Sequence, residues 1–309
     1  MLPASELATV SLADKGVTIM GSVLELAACL RRQAALAVLL VAVAVRPSAG
    51  QDTTADRRPE FTIEEMEALL LKGRITDRKG TSKGVTDAFR VTLSDGQRTH
   101  DAQVQNVDIF RTVFEVTPKH TEFNFRDTYR YNVAAYLFAR LLGLQNVPVS
   151  VPRVVDGKPA AVTWWIDEVA MDEGVRLKLS PRERLGPNPS RTAAYIHVLR
   201  VFDELIQNRD RNAGNLLWTK DWTMWMIDHT RAFRTDPELR NPQLLERCER
   251  TLYASLQSLT RETLTQAVGN NLLKPEVDAV LARRDRVVKL FEDKIAKAGE
   301  VAVLYTLPR

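Results

Sequence analysis

The chain has 309 residues, 45% hydrophobic and 27% charged, a balance that excludes a disordered chain and allows one large domain or two lobes around a sizeable core. The net charge is only +4, with no run of five or more basic residues; no polyanion-binding surface follows, and nucleic acid is not an expected partner. Two cysteines, Cys29 and Cys248, are too few for a disulfide framework.

The N-terminus carries an address. Arg31-Arg32 precede an unbroken apolar run from Ala34 to Val45, followed by Arg46-Pro47-Ser48-Ala49-Gly50-Gln51, the order of a secretory signal. The run is shorter than the roughly 20 residues that span a bilayer, so no stable membrane span is expected once the leader, residues 1–50, is removed. Met20 would open a leader of ordinary length. The expected location is therefore periplasmic or secreted, with a membrane-anchored form if the leader stays uncleaved. Cys248 is then alone in the mature chain, in the charged setting "LLERCERTL", which reads as a helix face rather than a nucleophile.

Residues 51–60 are polar and read as a linker. "FTIEEMEALLL" from Phe61 to Leu71 predicts a short amphipathic helix capped by Thr62, with Glu64 and Glu65 at its positive end and Gly73 closing it. From Gly73 to about Glu115 short alternating segments predict a small antiparallel sheet, with a hairpin turning at Asp95-Gly96. The loop from Lys79 to Gly84, "KGTSKG", is glycine- and lysine-bearing without being a Walker A sequence.

Residues 127–142 predict a helix with Val133, Leu137 and Leu141 in register and Gly143 after it. Two strands joined at Asp156-Gly157 follow, then a charged, proline-bearing loop from Asp172 to Pro189. "TAAYIHVLRVFDELI" predicts a helix facing inward through Val198, Val201, Phe202 and Leu205, and a tight hairpin turns at Thr219-Lys220-Asp221. From about Glu238 the chain reads as helical, with Pro242 and Pro275 near helix starts and a long helix over 274–298; Arg283-Arg284-Asp285-Arg286 reads as a solvated face. The class is α+β: an N-lobe over 61–168 with a small antiparallel sheet and one helix, then a mainly helical C-lobe over 169–309. It is not βαβ alternation.

The chemistry gathers at "QNRDRNAGNLL", residues 207–217. Asp210 and Asn215 flank a loop between a helix and a hairpin, and the hairpin brings Asp228 back beside Asn215. Three oxygen-bearing side chains would face one point. A Mg²⁺ ion beside phosphates needs little more than one carboxylate and one amide oxygen, which leaves Asp210 to orient or deprotonate an incoming hydroxyl. His100, His120 and His197 are scattered, giving no zinc pattern, and Ser180 and Ser190 lack a His–Asp arrangement.

"RDRNAGN" has the Asp-to-Asn spacing of a kinase catalytic loop, and "MIDHTRAF" resembles its metal-binding segment. In detail "DRNAGNLL" and "YNVAAYLFARLLGLQNVPVSVP" resemble the atypical protein-kinase-like superfamily: phosphatidylinositol 3-/4-kinases, HipA-type kinases and secretory-pathway kinases. The resemblance implies a two-lobed protein-kinase-like fold, ATP with Mg²⁺ or Mn²⁺ as cofactors, and a hydroxyl-bearing protein, lipid or small molecule as acceptor. It implies Asp210 as catalytic base and Asn215 and Asp228 as metal ligands. Gly80, Thr81 and Lys83 would cover the phosphates, Asp167, Glu168 and Val169 would line the adenine site at the hinge, and Trp164 or Trp165 would wall it.

Two positions depart from the template. Gln105 stands where the strand lysine is expected and Asn132 where the helix glutamate would align. Losing both partners is coherent, because losing one would strand a buried charge. Three readings follow: an exported kinase, an exported pseudokinase acting as a nucleotide-binding or regulatory module, and an exported scaffold that binds no nucleotide.

Overall fold

The computed structural model describes residues 61–80, 88–117 and 120–307. The leader, the linker, Thr81 and Lys83 lie outside them. The class is the expected one: an antiparallel sheet region followed by a mainly helical part.

Helix α1 (Ile63–Lys72) starts on a reciprocal cap in which Thr62 Oγ1 accepts from Glu65 N at 3.2 Å and Glu65 Oε2 accepts from Thr62 N at 2.7 Å. It stops at Gly73, where a Cβ would fall 2.5 Å from the Leu69 carbonyl oxygen. Strands β1 (Arg74–Gly80), β2 (Phe89–Ser94) and β3 (Thr99–Gln105) follow. The β2–β3 turn is locked by Asp95 Oδ1, which accepts from Gln97 N at 2.8 Å and Arg98 N at 2.7 Å, while Gly96 takes φ 95.

The chain then makes a hairpin absent from the sequence reading, β4 (Asp108–Thr117) with β5 (His120–Thr128). Its outer face exposes Phe110, Val113 and Phe123, the last at 70%. Because β5 runs to Thr128, helix α2 (Arg130–Leu141) begins three residues later than expected, and Asp127 is a strand residue instead of a helical one.

Strands β6 (Ser150–Val155) and β7 (Lys158–Trp164) join through Asp156 and Gly157, both at positive φ (52 and 75), as a two-residue hairpin requires. Five strands pair in the order β1-β2-β3-β7-β6. Helix α2 is buried on nearly every side. Val133 packs with Tyr129 and Ala161 of the sheet. Tyr131 donates to Glu276 Oε1 at 2.6 Å, and Tyr136 donates to Glu67 Oε1 of α1 at 2.6 Å. One helix thus ties the sheet, α1 and the helical half together.

The stretch expected as loop after Asp172 holds structure. Strand β8 (Val169–Asp172) runs into the one-turn helix α3 (Glu173–Arg176), where buried Glu173 accepts from Arg176 at 2.7 Å and from Trp218 Nε1 at 2.7 Å. Helix α4 (Pro189–Ile206) buries Val198, Val201, Phe202 and Leu205, the face expected of it. Strands β9 (Leu216–Thr219) and β10 (Met224–Met226) form the expected hairpin, and β8 pairs with β9.

Cys248 corrects the sequence reading. It lies in strand β11 (Cys248–Glu249), not on a helix face, and is fully buried, so its thiol is pushed well up. Helices α5 (Arg250–Ser258), α6 (Arg261–Val268), α7 (Lys274–Ala298) and α8 (Glu300–Val303) complete the helical half. Strand β12 (Leu304–Tyr305) returns parallel to β11. Pro242 opens only a short 3₁₀ turn, whereas Pro275 sits in the first turn of α7. Among the described residues no helix is long and apolar enough to cross a membrane.

Arg283 is the second correction. It is fully buried, not solvated, and burial lowers its pKa to about 10. Its guanidinium donates to Leu205 O at 2.8 Å, to Arg234 O at 2.8 Å and to Asp236 O, fastening the end of α4 to the segment over 234–236. Arg283→Met keeps the volume and strands the buried carbonyls of Leu205 and Arg234, so urea unfolding should show a loss of about 3 kcal/mol; a loss below about 1 kcal/mol would show that water takes over those carbonyls.

Candidate active site

Alternation along β3 sets Asp101, Gln103 and Gln105 on one face of the sheet. At the α2 end of that face Gln105 meets Asn132: Asn132 Nδ2 donates to Gln105 Oε1 at 2.6 Å, and both side chains are buried. Asn132 Oδ1 in turn accepts from His229 N at 2.7 Å. The strand and the helix are therefore held together by two neutral amides. The same amide continues to the backbone directly after Asp228. That second link had no sequence signal.

The loop carrying Asp210 and Asn215 is fixed from below by Arg211. Its Nε and Nη2 grip Asp203 of α4 at 2.9 and 3.0 Å, and its Nη1 donates to Asn215 O at 3.2 Å and Ile227 O at 2.7 Å. Ile227 N donates back to Asn215 O at 3.0 Å. Asn208 Oδ1 accepts from Asp210 N at 3.1 Å, and Asn212 Oδ1 accepts from Gly214 N at 2.9 Å. One guanidinium thus joins Asn215 to the residue before Asp228, and the Asp210 side chain is left 48% exposed.

Asp228 sits at φ 54, a left-handed conformation that Asp and Asn tolerate better than other side chains. Thr230 Oγ1 donates to its Oδ1 at 3.2 Å. Burial outweighs that bond and holds the Asp228 carboxyl above its ordinary range, with the nearby Asp210 charge adding to the shift. Asp127, at the end of β5, is also raised by burial, with Asp228 and Asp210 contributing, and its Oδ1 is buried without a hydrogen-bond partner. Sequence reasoning missed Asp127 because it read as the first residue of the helix expected over 127–142.

These hard oxygens fit a divalent cation. Asp127 and Asp228 are desolvated and repel one another, and an Asp127 oxygen has no hydrogen-bond partner; Arg231 and Arg211 offset only part of that cost, and a cation would complete the compensation. Among the described residues no three Asp, Glu, His or Cys side chains converge as a complete cage, so an ion held by Asp228, Asn215 and Asp127 would keep waters or phosphate oxygens in its shell.

The segment after Asp228 is braced by the unexpected hairpin. Thr128 N donates to Thr230 O at 2.9 Å, and Arg234 donates to Phe123 O at 3.3 Å. Buried Glu122 receives Arg231 at 3.2 Å and Arg234 at 3.1 Å. Arg231 also reaches Asp210 Oδ1 at 3.3 Å.

The expected hinge residues lie on the chain between β7 and β8. The Asp167 carboxylate accepts from His100 Nε2 at 2.7 Å, Glu168 O accepts from Lys220 N at 2.9 Å, and Val169 pairs with Thr219. All three are exposed. Trp164 turns to the other face and stacks on His100, with ring centroids 3.6 Å apart, whereas Trp165 lies under Arg90 at 4.2 Å. Gly80 ends β1 opposite Phe89 and is exposed. A cleft of about 360 Å³ opens between the β4–β5 hairpin, Tyr131, Arg209 and the start of α7. None of Asp210, Asn215 and Asp228 lines it, so it neighbours the site without being it.

Gln105→Lys alone buries a charge without a partner and should cost about 3 kcal/mol or more, and adding Asn132→Glu should restore part of it; chemical denaturation of the single and double variants measures this, and a double variant no better than the single refutes the pairing. For Asp228, a raised folded pKa means that the ionised form costs stability at neutral pH, and that this cost disappears as pH falls through the folded pKa. In chelator-treated protein Asp228→Asn should therefore melt at or above wild type near neutral pH, with the difference closing on acidification. Mn²⁺ should raise the melting temperature of wild type but not of the variant.

No family model matches the chain, and no curated protein matches it. Among solved structures it is similar to the Helicobacter pylori proinflammatory kinase CtkA, at 10% identity over 74% of this chain and 98% of that one, with a TM-score of 0.47. At that score the likeness adds nothing to what the side chains themselves present.

Proposed function

We propose that the chain is an exported kinase-like phosphotransferase that uses ATP with Mg²⁺ or Mn²⁺ to phosphorylate a hydroxyl acceptor. The observation that supports this most directly is the Arg211 fork, which ties the loop of Asp210 and Asn215 to the residue before Asp228. The fork holds a half-exposed Asp beside buried, mutually repelling carboxylates, an arrangement that costs stability unless a cation joins it.

In this reading Asp210 accepts the proton of the acceptor hydroxyl as its oxygen bonds to the γ-phosphorus and the bond to the ADP oxygen breaks. Asn208 and Arg211 hold the loop so that the Asp210 carboxylate keeps its aim. Asn215, Asp228 and Asp127 offer the oxygens for the metal, which supplies charge neutralisation on the phosphates when bound. Asp167, Glu168 and Val169 would border the adenine, and Gly80 opens the loop proposed to cover the phosphates.

The pseudokinase alternative is favoured by one observation, the neutral Gln105–Asn132 pair, which brings no charge to the phosphates. A scaffold that binds no nucleotide predicts no melting shift with ATP and metal, whereas both kinase-like readings predict one. Transfer from labelled ATP separates the remaining two. Wild type should outpace both Asp210→Asn and Asp228→Asn by at least about 100-fold. Equal signals from all three would remove the enzyme reading and leave the binding module.

A further inference from the structure

The neutral Gln105–Asn132 pair raises the question of which side chain carries the charge that the template assigns to a strand lysine. Four arginines lie in the Asp210 loop and in the segment after Asp228. Arg211 is committed to Asp203 and two carbonyls, Arg209 pairs with Asp236 at 3.5 Å, and Arg234 is held by Glu122 and Phe123 O. Arg231 differs from them. It touches the Asp210 side chain, its Nε is buried without a hydrogen-bond partner, and its plane lies over Phe125 at 4.9 Å.

Resting on the kinase reading, we infer that Arg231 is the cation that binds the transferring γ-phosphoryl group, in place of the missing strand lysine. Its two carboxylate contacts, 3.3 Å to Asp210 and 3.2 Å to Glu122, are longer than the ~2.8 Å of a seated charge-assisted bond. The guanidinium is therefore poised between them and not consumed by either. Glu122 is shared with Arg234, so two guanidinium groups face one buried carboxylate and Asp210 is the other counter-charge.

Position completes the argument. A base must come within hydrogen-bond reach of the acceptor oxygen, which itself attacks the γ-phosphorus. A guanidinium bonded to that base stands one side chain away from the phosphoryl oxygens, and its planar fork suits them. Arg231 also follows Asp228 by three residues, in a segment that Thr128 and Glu122 clamp from the β4–β5 hairpin. The hairpin is what positions the cation.

The test compares binding of ATP and of ADP, each with Mn²⁺, to the full chain and to Arg231→Gln by calorimetry, with phosphoryl transfer measured on the same samples. ATP affinity should fall by about 10- to 100-fold in the variant while ADP affinity stays unchanged, and transfer should fall at least as far. Arg231→Lys keeps the charge and loses the fork, so its KM should recover more than its kcat. An unchanged ATP-to-ADP ratio in Arg231→Gln overturns the assignment and leaves the kinase reading standing, whereas wild type that binds neither nucleotide overturns both. If Arg231→Gln fails to fold, the ATP-to-ADP ratio of Arg231→Lys decides: reduced, it supports the role; unchanged, it removes it.

Discussion

The hydrogen bond from Asn132 to Gln105, continued to His229 N, is the constraint on which the site depends. It fixes three things at once: the height of α2 over the sheet, the register of β3 against it, and the path of the chain after Asp228. A buried ion pair at this place would need two charges desolvated, which often offsets the attraction it gains. Two amides avoid that penalty and still leave a stranded polar group if either is removed, at about 1–3 kcal/mol. The two elements are joined without a buried charge.

The β4–β5 hairpin is the second constraint on the site. It lies between β3 and α2 and uses its polar residues against the segment after Asp228: Thr128 by its backbone, Glu122 by its carboxylate, Asp127 beside Asp228. Its outer face keeps Phe110, Val113 and Phe123 in solvent. The two faces of one small ribbon therefore have different chemistry. The inner one adds charge to the site, and the outer one adds nothing to the core.

What the sequence disclosed was local. The Thr62 cap, the Asp95-Gly96 and Asp156-Gly157 turns, and the buried faces of α4 and α7 are each written in a few neighbouring residues. The spacing of Asp210, Asn215 and Asp228 was legible for the same reason, and a hairpin between them needs no distant partner. Arg283 was misread because its three acceptors come from residues 205, 234 and 236, and no local pattern announces such a meeting. Asp127 was misread because an Asp before "TYRYNV" resembles a helix start; pairing of Ile109 with Asp127 across the ribbon overrides it. Gln105 and Asn132 were aligned with each other from the template, but the third member of their chain, a backbone N–H, has no letter in a sequence.

The left-handed backbone at Asp228 has a consequence for how the site is dissected. An alanine placed there deletes the carboxylate and also forces a side chain with little tolerance for φ 54 into that turn, a backbone cost of about 1 kcal/mol. Any lost function would then mix chemistry with a shifted chain, and the shift would travel through His229 N to Asn132. Asparagine matches the shape and shares the tolerance, so it isolates the negative charge as the single variable. At this position the conservative replacement is the informative one, and the customary truncation is not.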